Sequence, residues 1–168
     1  MKPALQKVLF VSSERCVGCR VCELACSAHH ERSFNPAKSR IHVVKWDGKG
    51  LDVPMVCQQC IKPPCVAACP VEAFYRDEKT GAVLINDDVC IGCRLCIEKC
   101  PFGGISIDPD KERMVKCNLC GGDPRCVKYC PTEALQYAKA DRMIMLKKWK
   151  GAEKMANLLE QVIIMEGG

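Results

Sequence analysis

The sequence predicts an α+β fold of short β-hairpins and short helices whose centre is formed by cysteine-rich loops. Two observations support this prediction. The 168-residue chain contains 16 cysteines, a density that an ordinary apolar core does not need. The segments between the cysteines have the composition of short strands and hairpins, with glycine and proline at their turns. The length suits one domain or two small, closely fused ones.

The cysteines form four runs with a shared spacing. The third run is C-x2-C-x2-C-x3-C followed by proline. The first run has the same spacing, but Ser27 stands where the third run has proline. The second and fourth runs have a wider gap between their second and third cysteines. This is the ligand pattern of bacterial 4Fe–4S sites, in which three cysteines of a run hold one cluster and the fourth ligates the neighbouring cluster. The pattern therefore predicts iron–sulfur clusters.

The runs also form an internal repeat, which predicts how they pair. Runs one and three share Cys-x-Gly-Cys-Arg-x-Cys, and runs two and four share Cys-Pro-x-Glu-Ala. A two-cluster bacterial ferredoxin has one run of each kind, so runs two and three form one such unit and runs one and four form another around it. We expect two nested ferredoxin-like units, an outer one at 1–56 plus 101–140 and an inner one at 57–100, followed by an extension at 141–168.

The exchange of the fourth ligand within each pair of runs predicts four 4Fe–4S clusters and uses all 16 cysteines. Site 1 is Cys16, Cys19, Cys22 and Cys130; site 2 is Cys117, Cys120, Cys126 and Cys26; site 3 is Cys57, Cys60, Cys65 and Cys100; site 4 is Cys90, Cys93, Cys96 and Cys69.

Short elements are predicted between the runs, in chain order. A buried strand at 7–12 leads into the first run, HHERSFNP after it forms a loop, and RIHVVKW forms a strand that ends at a turn at 47–48. A hairpin follows with its turn at 79–81 and a strand at 82–85, and a second hairpin turns at 108–110. Residues 151–165 have helical periodicity and predict an amphipathic helix, which either packs on its own domain or docks a partner or another copy of the chain.

Zinc sites and disulfides fit the cysteine pattern less well than iron–sulfur clusters do. Zinc prefers paired C-x2-C knuckles separated by longer loops, and disulfides require an exported chain and looser geometry. The net charge of +5 could indicate nucleic-acid binding. A 4Fe–4S cube with four thiolates carries about −2, so four cubes supply about −8, and the basic residues are explained as compensation.

The sequence offers no catalytic site. It has no phosphate-binding glycine loop, and every thiol is predicted to be a ligand. It also has no secretory signal and no window of ~20 apolar residues that would cross a bilayer, so a cytoplasmic protein is expected. His29, His30 and His42 lie in or beside the first loop and are predicted to be surface or packing residues. Arg20 and Arg94 occupy equivalent positions in runs one and three, where they either stabilise a reduced cluster or are solvated.

The order of the four runs resembles that of the iron–sulfur subunits of molybdenum- and tungsten-pterin oxidoreductases, such as dimethyl sulfoxide reductase and formate dehydrogenase. The segment CVGCRVCELACSAHHERSFNPAKSRIHV is similar to the small subunits of tungsten aldehyde oxidoreductases, including the benzoyl-CoA-reducing branch. The resemblance covers about residues 7 to 140. It implies a non-catalytic electron-transfer subunit whose partner carries the tungsten- or molybdenum-pterin and the substrate, with a ferredoxin or a flavin/NAD subunit at the other end.

Two further hypotheses remain open. A free polyferredoxin would diffuse between enzymes, and the iron–sulfur subunit of a formate dehydrogenase or hydrogenase complex would have similar motifs. A maturation or redox-sensing protein is a third class. It would need a labile cluster with an open ligand position, and the complete set of 16 ligands argues against it.

Overall fold

The computed structural model describes residues 7–141, 144–145, 148 and 152. The chain divides into two compact units. One is Leu9–Tyr137 and contains all 16 cysteines; the other combines Met1–Val8 with Ala138–Gly168. The predicted amphipathic helix at 151–165 lies, apart from residue 152, outside the described residues.

The strands within the described residues form four two-stranded sheets. Three of these sheets are antiparallel: β2 with β3, β4 with β5, and β6 with β7. The fourth joins β1 to β8, the first and last strands described. The strands are β1 Lys7–Val11, β2 Ile41–Trp46, β3 Leu51–Val56, β4 Phe74–Arg76, β5 Val83–Ile85, β6 Ile105–Ile107, β7 Met114–Lys116 and β8 Leu135–Lys139.

The helices are short and carry cysteines. They are α1 Val21–Glu31, α2 Pro64–Ala67, α3 Leu95–Glu98 and α4 Arg125–Lys128. Each of α2, α3 and α4 contains the third cysteine of its run and ends before the fourth. The proline after that fourth cysteine cannot continue a helix, which explains the stop. Helix α1 differs because Ser27 replaces the proline, and its 11 residues include both Cys22 and Cys26.

The core is built around cysteines as well as aliphatic side chains. One cluster of buried residues packs Ile41, Val56, Leu119 and Leu135 with Cys22, Cys26, Cys117 and Cys126. A second cluster is smaller and contains Ile105 and Met114 with Cys65 and Cys96. Apolar side chains that are only partly buried pack against this second cluster, namely Val66, Phe74, Ile85, Ile97 and Ile107.

The α+β class and both hairpins are confirmed, as is the strand that ends at residue 46. The nested arrangement and its domain boundaries stay predictions. Strands β1 and β8, from the two parts of the predicted outer unit, pair with each other. Strand β1 was predicted to be buried, but Lys7 and Val8 are exposed and its other residues are only half-buried. Strand β3 was not predicted.

The loop predicted for HHERSFNP is wrong in its first three residues, which form the last turn of α1. The Glu31 carboxylate of this turn lies 2.7 Å from the ammonium of Lys111, 80 residues away in sequence. The Ser27 hydroxyl accepts a hydrogen bond from the backbone N–H of Asn35 and donates one to the Leu24 carbonyl, which ties the following segment to the helix. These distant contacts extend the helix beyond its local signals.

None of the helices within the described residues has the length and apolar content needed to cross a bilayer.

Candidate metal centres

Two of the four predicted ligand sets line cavities. The first cavity is bordered by all four cysteines of site 1, together with Arg20, Pro131 and Leu135. Three of its cysteines come from the first run, and the fourth, Cys130, comes from the last run, 108 to 114 residues further along the chain. The second cavity is bordered by all four cysteines of site 3, together with Gln59 and Lys116. In both cavities the fourth cysteine comes from the paired run, as the crossed-ligand prediction requires.

The cysteines of site 2 also lie close together. Burial raises the pKa of Cys117, Cys120 and Cys126, and the neighbouring Cys26 thiol adds to the rise in each case. Cys26 accepts a hydrogen bond from the backbone N–H of Arg40, with an N–S distance of 3.3 Å.

Site 4 is assembled in part. Burial raises the pKa of Cys96 to about 11, with further contributions from the nearby Cys90 and Cys93 thiols. Cys69 accepts a hydrogen bond from the Ala73 N–H at 3.3 Å. Its place in site 4 rests on the spacing of the runs.

The buried thiols suit a metal better than a role as free cysteines. Burial raises the pKa of Cys22 and of Cys117 to about 12, so these sulfurs stay protonated in the absence of a cation. A metal cluster replaces those protons and uses the thiolates as ligands. Since the thiols of sites 1 and 3 converge in sets of four on shared cavities rather than in pairs, these two donor sets fit 4Fe–4S clusters. The metal ligand assignment of each cysteine stays a prediction.

Backbone N–H groups point at the fourth cysteine of several runs. The Cys100 sulfur accepts a hydrogen bond from Gly104, four residues ahead, as Cys69 does from Ala73. Burial alone would raise the pKa of Cys130, but the backbone N–H of Leu135, aided by the Thr132 hydroxyl, lowers it. Such hydrogen bonds stabilise the extra negative charge of a reduced cluster.

The four sites follow one another through neighbouring sulfurs. Burial raises the pKa of Cys126 in site 2, and the Cys22 thiol of site 1 contributes to the rise. The Cys57 thiol of site 3 acts in the same way on Cys117 of site 2. The Cys65 thiol of site 3 likewise contributes to the raised pKa of Cys96 of site 4. Each predicted site therefore has a sulfur near a sulfur of the next site in the order 1, 2, 3, 4, and we refer to this succession of predicted sites as the row.

The exposed cysteines belong to the two ends of this row. Cys19 of site 1 and Cys93 of site 4 are exposed, whereas the cysteines of sites 2 and 3 are buried or half-buried. Exposed apolar side chains flank both ends: Val17 is 62% exposed beside site 1, and Ile91 is 64% exposed beside site 4. The cysteines of the middle sites are thus less exposed than those at the ends, while Ile61, beside Cys60 of site 3, is 92% exposed.

The two arginines of the repeat share an unusual backbone conformation. Arg20 and Arg94 both have positive φ and begin the helix that carries the third cysteine of their run. The Arg20 guanidinium lies 3.0 Å from the carboxylate of Glu23, which is fully buried and also accepts a hydrogen bond from the Val43 N–H. Arg20 therefore neutralises a buried carboxylate.

The three histidines have different surroundings. His42 is within hydrogen-bonding distance of the Ser106 hydroxyl, at 3.2 Å, which is a packing role. His30 lies closer to a predicted ligand, because its Nε2 is 3.7 Å from the Cys120 sulfur. Burial lowers the pKa of His30 to about 4, with Arg40 and His29 adding to the effect. His29 is exposed and also approaches Cys120.

The comparisons with known proteins identify iron–sulfur domains in this chain. A profile of the 4Fe-4S dicluster domain matches residues 49–141, and a 4Fe-4S binding domain matches 13–29. The polyferredoxin-like subunit of aliphatic sulfonate oxidoreductase from Pyrococcus furiosus is 44% identical over 73% of this chain and 70% of its own length. The thiosulfate reductase electron transfer subunit PhsB from Salmonella typhi is 32% identical over 89% and 84%.

Among solved structures, the active site complex BamBC of benzoyl coenzyme A reductase as isolated contains a similar chain. It is 26% identical, and the match covers 92% of this chain and 96% of that chain with a TM-score of 0.47. The dicluster profile alone spans more than half of the 168 residues. The chain described here belongs to the 4Fe-4S dicluster domain family of iron–sulfur proteins.

Proposed function

We propose that this chain is an electron-transfer subunit that connects a tungsten- or molybdenum-pterin catalytic subunit with a redox partner, a ferredoxin or a flavin/NAD subunit. Four 4Fe–4S clusters, held by the crossed ligand sets of two nested ferredoxin-like units, would supply the one-electron chemistry. The observation that carries the proposal is the row of four cysteine sets whose ends alone expose a cysteine. Relatives named as electron-transfer subunits of oxidoreductases support it.

The protein contributes spacing, insulation and charge. Electron tunnelling weakens steeply with distance, so a long path has to be divided into short steps, and neighbouring sulfurs from consecutive sites provide that division. Four cysteines of the middle sites are buried, which reduces the contact of those sites with water. Hydrogen bonds from backbone N–H groups to the fourth cysteines favour the reduced state at chosen positions.

The exposed ends are proposed to be where partners meet the row. Val17 at site 1 and Ile91 at site 4 would lie in the two interfaces, because exposed apolar side chains beside an electron-transfer centre are suited to transient or stable contact. A free polyferredoxin would have the same ends but no fixed stoichiometry with a pterin enzyme.

Anaerobic purification of the full chain from its source organism tests this function. We expect a pterin-containing polypeptide to co-elute in fixed stoichiometry, with tungsten or molybdenum found together with iron. Val17→Glu places a negative charge at the site 1 end of the row, and Ile91→Glu places one at the site 4 end. We expect one of them to release the pterin subunit and the other to slow electron exchange with the second partner, both at unchanged iron content.

Val44→Glu is the matched control, since Val44 is 38% exposed on strand β2 and carries no predicted role at either end. Its co-elution and electron exchange should equal those of the unmodified chain. A chain that elutes alone with its full iron content, and that exchanges electrons equally well in all three variants, would contradict the proposal and favour a free carrier.

A further inference from the structure

Lys116 is a buried lysine at the centre of the predicted row. It ends strand β7, directly before the site 2 ligand Cys117, and its side chain lines the cavity that is bordered by the four cysteines of site 3. Only 4% of the residue is exposed. Lysine is almost never buried to this extent without a partner of opposite charge, because removing an ammonium from water is costly.

The partners of the Lys116 ammonium are neutral oxygens. It donates to the Val83 carbonyl, to the side-chain oxygen of Gln59 at 3.3 Å and to the Cys117 carbonyl at 3.5 Å. These three acceptors match the three N–H donors of a protonated ammonium. They keep the charge in place without cancelling it.

No carboxylate among the residues that the structure describes forms an ion pair with Lys116. Two acidic side chains of its own hairpin pair with other lysines instead, Asp108 with Lys111 and Asp110 with Lys38. Gln59 is committed elsewhere too, since its Oε1 accepts from the Val83 N–H and its Nε2 donates to the Cys117 carbonyl. The charge of Lys116 must be balanced by another anion on the same cavity.

The anions available on that cavity are the sulfurs of site 3. Lys116 and the four cysteines of site 3 border the same cavity, so its ammonium lies beside the group that these sulfurs would hold. A cluster held by four thiolates is an anion of about −2 and becomes more negative on reduction.

We propose that Lys116 is the internal counter-charge of the site 3 cluster and makes this cluster easier to reduce than the same site with a neutral side chain. The inference rests on the proposed assignment of Cys57, Cys60, Cys65 and Cys100 to one cluster. Lys116 acts through charge alone, so it is a positioning and tuning residue. It would set the energy of an electron in the middle of the row.

The test is a potentiometric titration of the full chain, followed by electron paramagnetic resonance, with iron content measured on the same samples. In Lys116→Met, which keeps the length of the side chain without its charge, the reduced-to-oxidised ratio of one cluster at fixed solution potential should fall at least about tenfold. For a one-electron couple this equals ~59 mV toward negative potential. Lys116→Arg should stay close to the unmodified chain.

Lys62→Met is the matched control. Lys62 is an exposed lysine in the second cysteine run, in the loop between the site 3 cysteines Cys60 and Cys65. Solvent therefore screens its charge. Removal of the Lys62 charge should change the reduced-to-oxidised ratio of the site 3 cluster by less than about threefold. Four unchanged potentials in Lys116→Met at full iron content would overturn the proposal.

Variants that lose the cluster are also informative. Loss of site 3 iron in Lys116→Met and Lys116→Gln but not in Lys116→Arg supports a requirement for charge. Loss in all three indicates a requirement for shape and overturns the proposal. A chain with unmodified Lys116 that lacks iron at site 3 would instead contradict the ligand assignment itself.

Discussion

Removal of the iron–sulfur clusters is expected to abolish the cooperative unfolding transition of the chain. The smaller core cluster has Ile105 and Met114 as its buried non-cysteine side chains, together with Cys65 and Cys96, and the other apolar side chains that pack against it are only partly buried. Without metal, these sulfurs become protonated thiols around an empty space, and the hydrophobic stabilisation that remains does not offset the loss of conformational entropy. Metal binding and folding should therefore be coupled.

Anaerobic treatment with an oxidant and a chelator, followed by near-ultraviolet circular dichroism and limited proteolysis, measures this effect. The metal-free chain should lose its tertiary signal and be cleaved within the cysteine runs. Incubation with iron and sulfide should restore both properties. A metal-free chain that keeps a sharp thermal transition would show that the protein core is sufficient alone.

Gly104→Ala is the point substitution with the largest expected effect. A Cβ at this position would lie 2.6 Å from the Cα and 3.0 Å from the backbone nitrogen of Cys57. These are backbone atoms that cannot move aside without shifting a predicted ligand of site 3. Gly104 also donates its N–H to the sulfur of Cys100, a second predicted ligand of the same site. We expect the free energy of unfolding to fall by ~1–3 kcal/mol.

The same substitution should remove about four of the ~16 irons, because two ligands of one cluster are displaced together. Iron analysis and chemical denaturation of the holoprotein measure the two effects. Gly48→Ala serves as the control, since a Cβ there meets no atom within 4 Å. Equal iron content and stability in Gly104→Ala and Gly48→Ala would show that the two segments can separate freely.

Local signals in the sequence predicted the hairpins well. The turn between β4 and β5 is fixed by Asp77, whose carboxylate accepts hydrogen bonds from the backbone N–H and the hydroxyl of Thr80. Strand β3 was not predicted, and it contains Pro54, a residue that is unfavourable inside a central strand. In a two-stranded sheet a proline without an N–H is tolerated, and Pro54 pairs with Val43.

The features that sequence reasoning missed depend on distant residues. The last turn of α1 is stabilised by Glu31 and Lys111, and His30 approaches Cys120 across 90 residues. The burial of Lys116 has no local signal either, because a lysine at the end of a strand is normally solvated. Its only sequence cue is its place directly before Cys117.

The cysteine runs carried most of the information about the site. Regular spacing grouped the 16 cysteines, and the structure brings the cysteines of sites 1 and 3 around two cavities. The order of the sites and the exposure of Cys19 and Cys93 could not be predicted, because they depend on how the runs pack against one another.

Counting the metal tests the central claim most directly. The full chain, purified anaerobically and reconstituted, should bind ~16 irons and ~16 acid-labile sulfides per polypeptide, as four complete 4Fe–4S clusters require. Zinc in place of iron, or markedly fewer irons after full reconstitution, would contradict the claim that paired cysteine runs hold a row of four clusters.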